Sequence, residues 1–350
     1  MVEFWTNGAG MPEAFVRRAQ RAEAGGFDGI TIVDSQNLSG DCYVALALAA
    51  TATTRIRLGT GVTNPFTRHP AVTASAIATV QAVSGGRAHL GIGRGDSALA
   101  HLGYAPASPA ALADYLKKLQ GYLAGAEVPF DEAADLAKLR LANQPTASRI
   151  GWLRPGRYPK ITVDVAATGP RVIAIGAVHG DMVSLAVGAD PARVRWGIET
   201  ARAARAAVGL DPAALRLGAY VNVVVHDDPE VARRLGEGGL SVFARFSALH
   251  GTPVGPSSAE ERRVFERVHA AYDMTVHTRS HTPQAAILTS EFAREYGVFG
   301  PADSCVERLR ALAALGITRF VVVGPGRDAD PAERERAEHR FAAEVMPALR

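Results

Sequence analysis

Short apolar runs rich in β-branched residues alternate with amphipathic helical patterns along most of the 350-residue chain. This alternation is typical of parallel βαβ units, whose helices return the chain to the same end of the sheet. Eight such units in a chain of this length predict an α/β fold, a (β/α)8 TIM barrel over residues 1–350, and a doubly wound open sheet is the alternative. The predicted strands are 2–5, 29–33, 56–61, 88–93, 161–166, 182–186, 217–225 and 319–323.

Two segments interrupt the predicted repeat. Residues 126–159 are rich in Pro, Gly and Arg, and residues 251–300 contain one helical stretch, at 260–272. Segments of this length inside a compact domain usually form lids or binding loops. Because they would follow the fourth and seventh strands, we expect both insertions on the C-terminal face, where barrel enzymes carry their active sites. The remaining helices are predicted over 12–24, 43–52, 71–83, 171–178, 191–208, 230–249 and 331–346.

Charge and cysteine content argue against several classes of protein. The 38 basic and 35 acidic residues nearly balance, so the sequence gives no sign of nucleic-acid binding. It contains no apolar run of membrane-spanning length and no signal-peptide pattern, so we expect a cytoplasmic protein with no membrane partner. Cys42 and Cys305 are too few and too far apart for a disulfide framework or a metal motif, and histidine spacings typical of metal sites are missing. We therefore expect no metal site.

The stretch HLGIGRGDSALAHLG places Gly91, Gly93 and Gly95 directly after the start of the fourth predicted strand. The dinucleotide fingerprint G-x-G-x-x-G does not fit, because Asp96 stands where the third glycine belongs and about three strand-helix units come first. Two interpretations remain. In one, the glycines let the backbone approach a ligand, which the N–H groups around Asp96 and Ser97 bind. In the other, Gly91 and Gly93 relieve crowding inside the barrel and Asp96 caps a helix.

Other strand ends carry groups suited to a ligand site. Thr168 and Gly169 would begin the helix after the fifth strand, where free backbone N–H groups and the helix dipole favour an anion. Asp34 follows the second strand, and we assign Glu3 to the end of the first. Because the carboxyl ends of barrel strands share one face, we expect these groups and the glycine turn to converge.

Three stretches of the chain are similar, in order and spacing, to one family. VEFWTNG, GTGVTNPFTRHPAVTASAIATVQAVSGGRAHLGIGRGDS and VDVAATGPRVIAIGA resemble the bacterial luciferase-like superfamily of flavin and deazaflavin oxidoreductases. Within it, the chain most resembles methylenetetrahydromethanopterin reductase and its relatives that use the deazaflavin coenzyme F420. The likeness covers most of residues 1–104 and 161–200, and it implies the same barrel fold.

The resemblance implies roles for individual positions. In the family, a bulge at the end of the third strand contains a cis peptide bond that supports the ring of the coenzyme, and here that bond would fall at Gly61–Val62. The glycine turn would flank the ring and the ribityl chain, and the turn after the fifth strand would meet the ribityl and phosphate portion. The residues implied in coenzyme binding are Asp34, Gly61, Val62, Thr63, Gly93, Gly95, Asp96, Ser97, Ala167, Thr168 and Gly169.

The resemblance also implies an acid. Glu3 matches a glutamate at the end of the first strand in the methylene-tetrahydropterin reductases, where it would protonate the nitrogen left by hydride transfer. The alternative is a carboxylate that pairs with an arginine of the barrel, and Asp34 and Asp96 are the further catalytic candidates. Sugar-phosphate dehydrogenases of the superfamily carry an Asp-His pair after the second strand. Here Ser35 and Gln36 follow Asp34, which argues against alcohol oxidation by that route.

These features favour an oxidoreductase in which reduced coenzyme F420 delivers hydride to a small organic substrate with a C=N, C=C or C=O bond. The alternatives are an FMN-dependent monooxygenase and a non-catalytic flavin-binding barrel on the same fold. The family implies a homodimer, and the substrate stays open. Basic residues in and beside the first insertion would serve either the acidic tail of the coenzyme or only solvent: Arg140, Arg149, Arg154, Arg157 and Lys160.

Overall fold

The computed structural model describes residues 2–131, 138, 140 and 142–350. The strands are β1 (Glu3–Gly8), β2 (Gly29–Ile32), β3 (Arg57–Thr63), β4 (Ala88–Ile92), β5 (Val128–Pro129), β6 (Ala147–Ser148), β7 (Thr162–Ala167), β8 (Met182–Leu185), β9 (Arg216–Val225), β10 (Val298–Gly300) and β11 (Arg319–Val323). Eight of them form a parallel barrel in the order β1-β2-β3-β4-β7-β8-β9-β11, which closes where β11 pairs with β1. The predicted (β/α)8 barrel is therefore confirmed, and the open sheet is wrong.

The helices surround the barrel and build the insertions. They are α1 (Pro12–Ala24), α2 (Cys42–Ala52), α3 (Pro70–Val83), α4 (Ser97–Ala100), α5 (Pro109–Leu123), α6 (Pro170–His179), α7 (Pro191–Ala207), α8 (Pro229–Ser247), α9 (Ala259–Ala271), α10 (Ser290–Tyr296), α11 (Ala302–Ala314), α12 (Pro331–Arg340) and α13 (Met346–Leu349). Several begin at a proline, whose fixed φ suits the first helical turn. Asp190 and Asp228 precede two of these prolines and accept hydrogen bonds from the first-turn N–H groups.

Among the described residues, buried apolar side chains form two large regions and a small cluster of Val224, Ala232 and Ala337. The larger region lies between the strands and the outer helices and includes Phe4, Leu46 and Val163. The smaller region includes Tyr220 of β9 and Phe243 of α8, and it joins the barrel interior to the segment that follows β9. This second region fixes that segment over one end of the barrel.

A buried polar cluster lies inside the barrel. Arg319 donates to the carboxylate of Asp164 and, at 2.9 Å, to the Ser184 hydroxyl, and its Nη1 lies 3.1 Å from His89 Nε2. Its guanidinium also lies 4.8 Å from the centre of the Trp5 ring. Burial, reinforced by Arg319, lowers the pKa of His89 to about 4, so this ring is neutral. The cluster pairs the charges that the barrel interior buries.

The described residues of the first insertion, 126–131, 138, 140 and 142–159, lie on the N-terminal face, so the predicted place of this insertion on the C-terminal face is wrong. The chain leaves β4 through α4 and α5, and α5 has already returned it to the N-terminal ends of the strands. Gln81, near the end of α3, donates to the carbonyl of Pro159 at 2.7 Å, and Lys160 pairs with Asp181 just before β8. The sequence pattern does not predict α5, and without this helix the insertion would follow β4 directly.

The second insertion rises from the C-terminal face, as predicted, but it is longer than 251–300. β10 pairs with the last residues of β9, at the C-terminal end of the barrel. Helix α8 is predicted as an outer helix of the barrel, but it packs on α9, α10 and β10 and belongs to the insertion. The outer position before β11 is taken by α11, which contacts α7. The insertion therefore spans 229–300.

Candidate functional site

A cavity of about 520 Å³ opens on the C-terminal face of the barrel. The end of β3 and the turns after β4 and β7 line the cavity, together with α8 and the loops of the second insertion. Val242, Phe243 and Phe246 make the α8 side apolar, whereas the strand turns present glycines and polar groups. A concave, mostly apolar site with a few convergent polar groups is typical of a small-molecule or cofactor site.

The C-terminal end of β3 contributes a cis peptide bond between Gly61 and Val62, as predicted. The register of β3 against β4 shifts between Thr60 and Thr63, so Gly61 and Val62 form a bulge, and both line the cavity. A Cβ on Gly61 would lie 2.3 Å from Oγ1 of Thr31, so only glycine fits this position. Thr63 is fully buried and is directed away from the cavity.

The glycine turn after β4 separates the two interpretations of the sequence. A Cβ on Gly91 would lie 2.3 Å from the carbonyl oxygen of Thr60, so this glycine relieves crowding within the barrel. Gly93 lines the cavity, where an added Cβ would lie 3.2 Å from Val62. The side chain of Asp96 forms no capping hydrogen bond to α4. The first interpretation, a turn that lines a ligand cavity, therefore fits the turn except at Gly91, which relieves crowding.

Asp96 anchors this turn to α8. Both of its carboxylate oxygens accept from the guanidinium of Arg245, one of them at 2.9 Å, and the two side chains are 16% and 14% exposed. Arg245 lies 4.8 Å from the centre of the Tyr272 ring, and the Tyr272 hydroxyl lies 2.7 Å from Nδ1 of His277. This chain of contacts joins the glycine turn to two parts of the second insertion.

Positive charge gathers where the turns after β4 and β7 meet. Thr168 and Gly169 line the cavity at the start of α6, where the first N–H groups lack helical acceptors. Arg94 and Arg171 line the same region, and Nη1 of Arg94 lies 3.3 Å from Nε2 of His250. Burial and the nearby Arg171 guanidinium lower the pKa of Arg94. Neighbouring cations beside a helix N-terminus favour a bound anion such as a phosphate.

Asp34 lies behind the wall of the cavity. It is buried and accepts three hydrogen bonds, from Thr63 Oγ1 at 2.6 Å, Gln36 Nε2 at 2.6 Å and Arg68 Nη1 at 2.5 Å. The structure therefore does not bring this carboxylate to the cavity. It supports the bulge from behind, because Thr63 directly follows Val62.

Glu3 is the first residue of β1, so its predicted place at the C-terminal end of that strand is wrong. The strand runs on to Gly8, which carries Asn7 rather than Glu3 to the cavity. Glu3 accepts from Arg57 at 3.2 Å and from the Trp5 indole at 3.1 Å on the N-terminal face. The alternative of a carboxylate paired with a barrel arginine is therefore the one that the structure bears out.

The predicted site residues thus fall into three groups. Those that line the cavity are Gly61, Val62, Gly93, Gly95, Asp96, Ser97, Thr168 and Gly169. Asp34, Thr63 and Ala167 are buried behind its wall, and Glu3 lies at the other end of the barrel. Further residues at the site are not predicted from the sequence: Arg94, Arg171, Arg245, Tyr272 and His277. Arg94 and Arg171 adjoin the predicted turns in sequence, so they could have been predicted from that position. The other three lie in the second insertion, where no sequence motif points to them.

Several expectations concern groups outside the cavity. The basic residues of the first insertion belong to the N-terminal face, so they do not meet a ligand in this cavity. Cys42 and Cys305 are both buried and free. In the part of the chain that the structure describes, no cluster of three or more His, Cys, Asp or Glu side chains could hold a metal ion. Among the helices of that part, none combines the length and the apolar character that crossing a membrane requires.

Comparison with known proteins relates this site to a family. The model of the luciferase-like monooxygenase family matches residues 4–319. The chain belongs to this family. It is 28% identical over 336 residues to 5,10-methylenetetrahydromethanopterin reductase of Archaeoglobus fulgidus, across 94% of this chain and 93% of that protein. The prediction of an oxidoreductase of the luciferase-like superfamily is therefore confirmed.

Solved structures share the fold. The coenzyme F420-dependent tetrahydromethanopterin reductase from Methanopyrus kandleri superposes with a TM-score of 0.75 at 21% identity, covering 100% of this chain and 99% of that one. An F420-dependent secondary alcohol dehydrogenase, solved with an F420-acetone adduct, superposes with a TM-score of 0.72 at 17% identity, again covering 100% and 99%. At these identities the likeness supports the barrel fold alone.

Proposed function

We propose that this member of the family is a coenzyme F420-dependent oxidoreductase, which transfers hydride between the reduced coenzyme and a small organic substrate with a C=N, C=C or C=O bond. The observation that carries the proposal is the meeting of three turns at one cavity: the bulge at Gly61–Val62, the glycine turn before α4 and the start of α6. The choice of coenzyme is supported by the resemblance to methylenetetrahydromethanopterin reductase and its F420-using relatives, a name that the similar protein of Archaeoglobus fulgidus carries.

The residues present fit a coenzyme with a flat ring and a phosphate. Gly93 has no side chain to hold a ring away from the backbone of the glycine turn, and the bulge at Gly61–Val62 lines the same cavity. A Cβ on Gly169 would meet nothing within 4 Å, so a phosphate has open space beside the first N–H groups of α6. Arg94 and Arg171 supply the charge that a phosphate requires. We therefore assign the ring to the first two turns and the phosphate to α6.

The bound coenzyme would supply the hydride, and the residues of the chain would orient the reactants and exclude water. The apolar α8 side of the cavity keeps the local dielectric low, which strengthens the electrostatic effect of the few polar groups there. Among the described residues, Asp96 is the one carboxylate that lines the cavity. Both of its oxygens already accept from Arg245, so we propose that Asp96 positions the coenzyme turn rather than donating a proton.

An FMN-dependent monooxygenase is the second candidate, because the matching family model carries the description of a luciferase-like monooxygenase. The same turns would suit the ring and phosphate of either cofactor. Reduced deazaflavin has a carbon where flavin has its reactive ring nitrogen, so it donates hydride but reacts poorly with oxygen. Oxygen consumption therefore distinguishes the two candidates.

Anaerobic titration of the purified apo-protein with F420 and with FMN, at the same salt concentration, tests the proposal. We expect F420 to bind at least about tenfold more tightly than FMN, a difference of about 1.4 kcal/mol. Reduced F420 should then be oxidised when methylenetetrahydromethanopterin is added, without uptake of oxygen. Tight binding of FMN alone, with oxygen consumed on addition of a substrate, would transfer the assignment to the monooxygenase.

We also propose a homodimer that forms through α2 and α3. These helices contact each other and contain no charged residue, yet they expose Val44, Leu48 and Val72. A contiguous exposed apolar face favours a protein partner. Light scattering should give twice the monomer mass for the wild type and the monomer mass for Leu48→Arg. Val208→Arg, at the end of α7, is the matched control and should stay dimeric, whereas a monomeric wild type would contradict the proposal.

A further inference from the structure

We propose that His277, in the second insertion, binds a carbonyl oxygen of the substrate through its Nε2–H group. The inference rests on the proposed function and names the residue that would recognise the substrate in the same cavity. His277 belongs to the second insertion and lines the same cavity as the turns that we assign to the coenzyme. No family motif and no role described above accounts for it.

The Nδ1 atom of His277 is bound within the insertion. The Tyr272 hydroxyl lies 2.7 Å from it. Burial, the largest effect, raises the pKa of Tyr272, so the phenol keeps its proton. Within the described residues, the structure gives that hydroxyl no other hydrogen-bond partner, so its proton is directed to Nδ1. The neutral imidazole then carries its own hydrogen on Nε2.

His277 is neutral at ordinary pH. Its pKa is lowered to about 4, mainly by burial. Asp96 raises the pKa, whereas three other groups lower it further: Arg245, Arg327 and His101. A neutral ring whose Nδ1 accepts a hydrogen bond is a donor at Nε2. In the part of the chain that is described, Nε2 has no hydrogen-bond partner, and it is therefore the ring atom left for a ligand.

The surrounding contacts fix the position of the ring. Thr278 also lines the cavity and has a φ of +69°, a conformation that a β-branched residue rarely adopts and that surrounding structure has to enforce. Tyr272 lies against Arg245, which binds Asp96 on the glycine turn. The imidazole is thus tied to the turn that we assign to the coenzyme. This arrangement would place a substrate oxygen and the coenzyme ring in a fixed relation.

A neutral donor in an apolar cavity selects for an acceptor atom rather than for charge. Sites built to hydrogen-bond a substrate group discriminate strongly against analogues that lack the group, because the buried partner is left unpaired. We therefore expect substrates that carry a carbonyl oxygen to be preferred over hydrocarbon analogues of the same shape.

Nitrogen-15 NMR of the full chain labelled at histidine tests the tautomer without coenzyme or substrate. The resonances of His277 are identified by their loss in His277→Gln. At pH 7 we expect a neutral ring with hydrogen on Nε2, and in Tyr272→Phe we expect a mixture of both tautomers, because Nδ1 loses its donor. Hydrogen on Nδ1 in the wild type, a doubly protonated ring, or an unchanged tautomer in Tyr272→Phe would overturn the inference.

Kinetics with reduced F420 test the contact with substrate. The probes are methylenetetrahydromethanopterin and cyclohexenone, which both carry a carbonyl oxygen. His277→Phe should raise KM by roughly tenfold or more with F420 affinity unchanged, and His277→Gln, which keeps an N–H donor, should recover part of the loss. His281→Gln is the matched control, because this side chain lies on the same loop and is 91% exposed.

The outcomes separate this inference from the proposed function. Wild-type KM for both probes in His277→Phe would overturn the role of His277. A wild type that binds F420 but reduces neither probe would overturn the assignment of a carbonyl-bearing substrate. Failure of the wild type to bind F420 would contradict the proposed function itself, and it would be recognised separately because the tautomer measurement uses no coenzyme.

Discussion

Breaking the ion pair between Asp96 and Arg245 should lower the stability of the protein and loosen the cavity. The pair is bidentate, and the two side chains are only 16% and 14% exposed. Removing one partner of a buried pair costs about 3–5 kcal/mol, because the remaining charge is left without a partner. Since water still reaches part of this pair, we expect Arg245→Met to lower the free energy of unfolding by about 2–3 kcal/mol.

Asp96→Asn should cost less, about 1–2 kcal/mol, because the amide oxygen can still accept one of the two hydrogen bonds. The double variant leaves neither a free carboxylate nor a free guanidinium. Its cost should therefore be smaller than the sum of the single costs by about 1 kcal/mol or more. Glu3→Gln is the matched control: its ion pair with Arg57 is more exposed, and its loss should cost at most about 1 kcal/mol.

Urea unfolding followed by circular dichroism measures these free energies, and titration measures the affinity for F420. Arg245→Met should also weaken F420 binding, because the glycine turn loses its anchor on α8. If the costs of the two single variants simply add in the double variant, the side chains are not coupled. That result would refute the role of Asp96 as the anchor of the glycine turn on α8.

Three further predictions follow from the geometry. Gly93→Ala should weaken F420 binding by about tenfold or more, because its Cβ would lie 3.2 Å from Val62. In Gly151→Ala, the control, the added Cβ meets nothing within 4 Å, so its affinity for F420 should equal that of the wild type. Equal F420 affinities of Gly93→Ala and the wild type would contradict this prediction. Glu3→Gln should keep wild-type turnover because Glu3 lies at the far end of the barrel, and a loss of roughly 10²-fold in steady-state assays would reinstate it as the acid. In the folded protein the pKa of His89 is lowered to about 4 from 6.5. Between these two pH values the unfolded chain binds a proton that the folded protein does not bind. The contribution of His89 to stability is therefore present above pH 6.5 and is lost as the pH falls toward 4. Urea midpoints that stay constant over this range would contradict the buried, neutral histidine.

The barrel can be predicted from the sequence because each strand is a local signal. Runs such as β9 and β11 are apolar and buried, and turns bound them on both sides. The end of β1 is harder to predict, because Thr6, Asn7 and Gly8 continue the strand although they are polar or small. Ending the strand at Trp5 moves Glu3 from one face of the barrel to the other. A local error in one strand end is therefore enough to misplace a candidate catalytic residue.

The turns that line the cavity can also be predicted from the sequence, whereas the residues of the second insertion that contact them cannot. Gly61 lies near the end of β3, and Gly93 and Gly169 follow the ends of β4 and β7, so sequence position fixes their face. Arg245 reaches Asp96, and His277 reaches the cavity, only because α8 and the loop after α9 fold back over the barrel, and this packing joins residues far apart in the chain. Such long-range contacts leave no periodic or motif signal in one sequence.

Hydrogen exchange of the full chain, with and without F420, tests most directly whether the cavity holds the deazaflavin. It needs no substrate, and it reports where the coenzyme binds as well as whether it binds. We predict that F420 slows exchange in the turns at 61–64, 93–98 and 167–173, and that FMN at the same concentration slows it less. The N-terminal face around Glu3 and Arg57 should exchange at the same rate in all samples. Protection of that face instead of the three turns, or protection of the turns by FMN alone, would contradict the account.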